Sequence, residues 1–177
     1  MIQYYAIRAS GITALMLFTA VTALGLIDRS RLSSPRWPRF VIDRLHRNVA
    51  LLATVFLAVH VVASVTDSFV VIPLLSAVVP FTRSYSQFWL GMGVFSWDLM
   101  LAVLLSSLVR ARLGYKGWRA VHWVSYLAWP LALLHGIGEG TDTQTVWMYA
   151  VNGLCVAAVV LALAVRVTRH PTLELAQ

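Results

Sequence analysis

Five runs of apolar residues, at approximately 4–27, 48–65, 88–109, 121–137 and 146–165, leave this 177-residue chain little room for anything but membrane helices. A helix needs about 20 mostly apolar residues to cross a hydrocarbon core about 30 Å thick. Only 12% of the residues are charged, against roughly 25% in ordinary soluble domains. The expectation is one all-α integral membrane domain over 1–177, a bundle of about five transmembrane helices with no separate soluble domain.

The net charge of +7 is a topology signal and excludes a nucleic-acid surface. Arg29, Arg31, Arg36, Arg39, Arg44 and Arg47 lie between the first and second runs. Arg110, Arg112, Lys116 and Arg119 lie between the third and fourth, and Arg166 and Arg169 follow the fifth. The alternate side holds only Arg8 and Arg83, with Asp67, Glu139 and Asp142. Short basic loops stay in the cytoplasm, which predicts the N-terminus outside and the C-terminus cytoplasmic. The first run lacks a basic n-region and is followed by its positive cluster, so it reads as a retained span rather than a secretory signal. Arg outnumbers Lys thirteen to one, which hints at a GC-rich bacterial genome and so a bacterial plasma membrane.

The segment 69–81 is apolar but short and carries Pro73 and Pro80. Proline breaks helices, so this piece is predicted to be interfacial, either resting on the outer membrane surface or capping what lies beneath. Cys155 is the one cysteine. It excludes an intrachain disulfide and a covalent c-type haem built on Cys-x-x-Cys-His.

Four of the five histidines frame two spans. His46 and His60 are fourteen residues apart, His122 and His135 thirteen. At 1.5 Å rise per residue these intervals are about 21 Å and 19.5 Å. One span separates the two helices, so they run parallel. His46 is then level with His122 near the inner surface, and His60 with His135 near the outer one. Two facing pairs at matching depths suit two stacked haems, each iron held by one imidazole from each helix. Helical phase agrees for His46 and His60, whereas His135 lies about 140° from His122 on a straight helix. Pro130 lies between them and is expected to kink the helix. Zinc and di-iron sites need ligands gathered at one place, so non-covalent b haem fits best. The competing class is a membrane anchor or transporter whose histidines pack or bind a metal ion. His170, beyond the last run, reads as a tail residue.

The His-x13-His and His-x12-His spacings, with Asp43-Arg44-Leu45-His46-Arg47-Asn48 and Gly117-Trp118-Arg119-Ala120-Val121-His122-Trp123, resemble the ferric reductase-like transmembrane domain. NADPH oxidases, iron reductases and the haem subunit of the bacterial periplasmic methionine sulfoxide reductase system share that domain. Val79-Pro80-Phe81, Trp89-Leu90-Gly91-Met92-Gly93 and His135-Gly136 are similar to its small bacterial, especially actinobacterial, members. The resemblance covers roughly 40–140. It implies two b haems on His46, His60, His122 and His135, and electron flow from a cytoplasmic donor to an acceptor outside. Family domains usually have six spans against the five counted here. The chain carries no Gly-x-Gly-x-x-Gly fingerprint after a strand. The resemblance therefore implies the haem-carrying membrane subunit of an oxidoreductase that needs a partner, either a flavoprotein or FMN-binding protein or a quinol.

Arg44, Arg47 and Arg119 are candidates for the propionates of the inner haem, and Arg83 for the outer, since Arg binds carboxylates bidentately. Phe56 and Trp129 fall between the two levels. Trp37, Trp89, Trp118 and Trp147 suit an interfacial aromatic belt. Asp98, an acid near mid-span, is expected to be neutral, paired or wet.

Overall fold

The computed structural model describes residues 2–28, 38–82 and 86–168. Arg29, Arg31, Arg36, Trp37, Arg83, Arg169 and His170 lie outside them, as does the side chain of Arg39. The described residues form α1 (Ile2–Asp28), α2 (Arg39–Val65), α3 (Gln87–Leu108), α4 (Arg110–Glu139) and α5 (Val146–Thr168), with a short 3-10 turn at Leu74–Ala77. The protein is an all-α, multi-pass membrane bundle, as its composition requires: helices satisfy their own backbone donors and acceptors where lipid cannot. Ile2–Ile27, Phe40–Val65, Gln87–Leu108 and Val146–Thr168 are long and apolar enough to cross a bilayer. Helix α4 has 30 residues, about 45 Å of helix, but is more polar because its first turns carry Arg110, Arg112, Lys116 and Arg119.

Two boundaries differ from the hydropathy reading. Helix α2 starts at Arg39 rather than near 48, and α4 starts at Arg110 rather than near 121. Hydropathy marks only the apolar stretch, and a helix continues through charged turns wherever water can solvate them. Gly114 interrupts α4 at φ 68, ψ 168, a conformation essentially reserved for glycine. The first turn of α4 is thereby set off from the helix that carries the histidines.

Helix α1 packs along α2, α3 packs along α4, and α1 also touches α4 and α5. Leu15 and Phe18 of α1, Met100 of α3, Ala128, Trp129 and Leu133 of α4 and Cys155 of α5 form the shared core. The outward faces are apolar too, with Leu105, Leu108, Leu154 and Leu161 exposed, as lipid contact demands. Buried polar groups are tied within the bundle. The Trp129 indole N–H donates to Thr19 Oγ1 at 2.9 Å, and the Thr19 hydroxyl donates to the Leu15 carbonyl at 2.8 Å. Ser96 Oγ donates to the Ala128 carbonyl at 2.8 Å, joining α3 to α4 two residues before Pro130.

The 69–81 segment is two-faced. Phe69, Val71, Leu74 and Leu75 are largely exposed, while Val70, Ile72 and Ala77 line a cavity between the helices. It thus combines the surface-loop and cap readings. Phe81 closes it at φ 61, unusual for a bulky residue, with its ring against Gly91 of α3.

Candidate functional site

The four intramembrane histidines meet in two pairs. The rings of His46 and His122 lie 6.2 Å apart, centroid to centroid, inclined at 61°. Those of His60 and His135 lie 6.3 Å apart at 75°. The cross-pairing requires α2 and α4 to run parallel. It also overrides the straight-helix phase of His122 and His135: both meet α2, and the helix between them contains Pro130, which withdraws a backbone donor. The separations have a chemical meaning. An imidazole nitrogen binds a first-row metal at about 2.0 Å and lies about 1.1 Å from its ring centre, so one ion between two facing imidazoles spans about 6.2 Å. Among the described residues no three His, Cys, Asp or Glu side chains gather at one point. Each pair could therefore hold a metal that brings further donors of its own.

The His60/His135 level is tied to the backbone of the neighbouring helices. His60 Nδ1–H donates to the Ile7 carbonyl at 2.9 Å, and His135 Nδ1–H to the Trp89 carbonyl at 3.0 Å. A carbonyl only accepts, so both Nδ1 atoms carry the proton and both Nε2 atoms keep a bare lone pair, the tautomer a metal ligand needs. A cavity of about 350 Å³ opens here, lined by Gly11, Leu57, Gly93, Trp97 and both histidines. Nearby, the Trp89 ring lies against Gly138 of α4.

At the other level, Trp118, one turn before His122, stacks on its ring at 5.0 Å and 26°. The Arg110 guanidinium sits 4.3 Å from the Trp118 ring. The indole N–H donates to Ser107 Oγ of α3 at 3.1 Å. Gly25 of α1 lies behind His46, where a Cβ would stand 3.3 Å from the ring.

The arginine candidates fare unevenly. Arg44 and Arg47 are exposed on α2, and Arg119 is directed to Tyr115, donating to its hydroxyl at 3.4 Å. Arg83 lies outside the described residues. Arg8, counted in the sequence only for topology, lines the cavity beside His60 and His135 and forms an ion pair with Asp142 and a hydrogen bond with Tyr4. No sequence signal marked it, since its place at the cavity follows from how α1 packs. Trp118, by contrast, stood four residues from His122 as more than a belt residue. Trp129 is buried in the core between the levels, and Phe56 and Asp98 are half-buried.

A family model described as ferric reductase like transmembrane component matches residues 10–133. The match takes in most of α1, all of α2 and α3, and α4 as far as Leu133, with His46, His60 and His122 inside it and His135 two residues beyond. Neither a curated protein nor a solved structure matches the chain.

Proposed function

Since the chain belongs to the ferric reductase-like transmembrane family, a family of membrane electron-transfer components, we propose that it conducts electrons through two bis-histidine b haems. His46 and His122 would hold one, and His60 and His135 the other. The reading rests on one observation: two facing imidazole pairs, each at the separation a single bound iron requires, set about 20 Å apart along the helices. Haem iron held by these imidazoles would supply a reversible one-electron site, the chemistry a relay needs. The chain's residues do the rest. The Ile7 and Trp89 carbonyls fix two imidazoles in the ligating tautomer. Trp129, Phe18 and Met100 exclude water between the levels. Arg8 is the described cation placed to meet an anionic substituent in the His60/His135 cavity, with Arg44, Arg47, Arg110 and Arg119 at the basic end.

What supports a direction is charge. Arg44, Arg47, Arg110, Arg112, Lys116, Arg119 and Arg166 all border the His46/His122 end, which supports a cytoplasmic position for that end. Electrons would enter there from a flavoprotein or FMN-binding partner, or from quinol. They would leave at the His60/His135 end, for an extracytoplasmic acceptor.

Purified chain should contain two b haems, read as pyridine haemochrome against protein. In liposomes it should be inert to NADH and NADPH alone. With a flavin reductase added on the basic-loop side, it should reduce an acceptor enclosed on the other. Saturation at one haem removes one pair from the reading. Haem reduction without transfer to the enclosed acceptor removes the conduit. A chain from haem-replete cells that carries none leaves the histidines as packing residues.

A further inference from the structure

The same device occurs twice at the His60/His135 level. On α1, Gly11 lies against the His60 ring, and the ring's Nδ1–H reaches the carbonyl of Ile7, four residues before the glycine. On α3, Gly93 lies against the His135 ring, and the Nδ1–H reaches the carbonyl of Trp89, again four residues before the glycine. A carbonyl at that offset already accepts the helical N–H of the glycine, so the imidazole approaches its second lone pair from outside the helix. Any side chain on the glycine would block that approach. A Cβ at Gly11 would stand 2.9 Å from the His60 ring, and one at Gly93 2.6 Å from the His135 ring. Gly25 leaves His46 more room, at 3.3 Å.

From this geometry we infer that Gly11 and Gly93 are positioning residues that dock His60 and His135 onto the Ile7 and Trp89 carbonyls, and so set the electron-donating strength of the His60/His135 site independently of the other. The inference rests on the proposed ligation. The chemistry is direct: an N–H donated to a carbonyl makes the opposite ring nitrogen more basic. A more basic pair stabilises the oxidised metal and lowers its potential. Displacing either ring removes that contribution from one site and leaves the other untouched.

The test uses the full chain with both haems, titrated electrochemically and examined by low-temperature electron paramagnetic resonance. Gly11→Ala and Gly93→Ala should each move one of the two reduction waves to more positive potential and alter one of the two low-spin signals. Gly153→Ala on α5, where a Cβ meets nothing within 4 Å, should alter neither. Gly25→Ala should act weakly, and on the other wave. Equal movement of both waves, or of neither, overturns the inference. Loss of both haems from Gly93→Ala reduces the glycine to a folding role.

A second variant covers poor insertion of these proteins. In His60→Gly, supplied imidazole can donate to the Ile7 carbonyl, whereas 1-methylimidazole can ligate but cannot donate. Imidazole should restore the wild-type wave, and 1-methylimidazole should leave it displaced. If the two ligands differ no more than they do on free haem in solution, the carbonyl contributes nothing and the inference fails. Wild-type protein without haem would instead refute the underlying ligation.

Discussion

The two histidine levels are alike in spacing and unlike in construction. At the His60/His135 level the backbone does the work: two helix carbonyls receive the imidazole N–H groups, and two glycines make way for the rings. At the His46/His122 level an aromatic side chain takes part, with Trp118 stacked on His122 and Arg110 over Trp118. A backbone carbonyl fixed in a helix has little freedom, whereas an indole on the first turns of α4, just past the break at Gly114, sits where charged side chains meet water. The contrast teaches that one level holds its rings in a set orientation beside a cavity, and the other ties its ring to the basic surface.

The comparison can be broken most decisively at the ligands. His60→Ala or His135→Ala should reduce bound haem from two per chain to one and leave the His46/His122 spectrum. His46→Ala or His122→Ala should do the reverse. Matching spectra for His46→Ala and His135→Ala would show the levels to be wrongly paired. Next in size is Thr19→Val, between the levels. It leaves the buried Trp129 N–H without its acceptor and should cost about 1–3 kcal/mol of stability, measured by unfolding in mixed micelles, with two haems retained. Trp118→Leu should cost about 0.5–1.5 kcal/mol of ring packing and perturb only the His46/His122 signals. A change confined to the His60/His135 signals would erase the proposed division of labour. The smallest effect belongs to Asp142→Asn at the opposite mouth. Its pair with Arg8 is partly exposed, so less than about 1 kcal/mol is at stake, and the thermal midpoint should scarcely move.

The five helices and the levelling of the histidines into two facing pairs were legible because each depends on one number, hydropathy for the first and rise per residue for the second. Pairing of His46 with His122 followed from parallel helices and needed no knowledge of side-chain contacts. The phase of His135 was not legible: a straight-helix rule puts it about 140° from His122, yet both rings meet rings of α2. Gly11 and Gly93 were likewise unreadable. A glycine in an apolar run carries no mark of the ring it accommodates, and its partner lies 49 residues away in one case and 42 in the other. For the same reason the sequence shows no internal repeat, although α1–α2 and α3–α4 use the same glycine, carbonyl and imidazole geometry. Only a few residues per hairpin are shared, and those are separated by unrelated lipid-facing positions. Arg8 was overlooked because counting charges for topology assigns a residue to a side and says nothing of which cavity it enters.

Helix α2 lies on α1 and α4 on α3, yet every histidine pair takes one ring from α2 and one from α4. Neither hairpin owns a complete site. On the proposed ligation, filling a level would be an act of assembly as much as of chemistry: it would clasp two halves that are otherwise joined through the contacts of α1 with α4 and α5 and of the 3-10 turn with α2 and α3. Cofactor supply would then be a checkpoint on maturation. The two hairpins made as separate polypeptides should find each other in a membrane only when the clasp is provided.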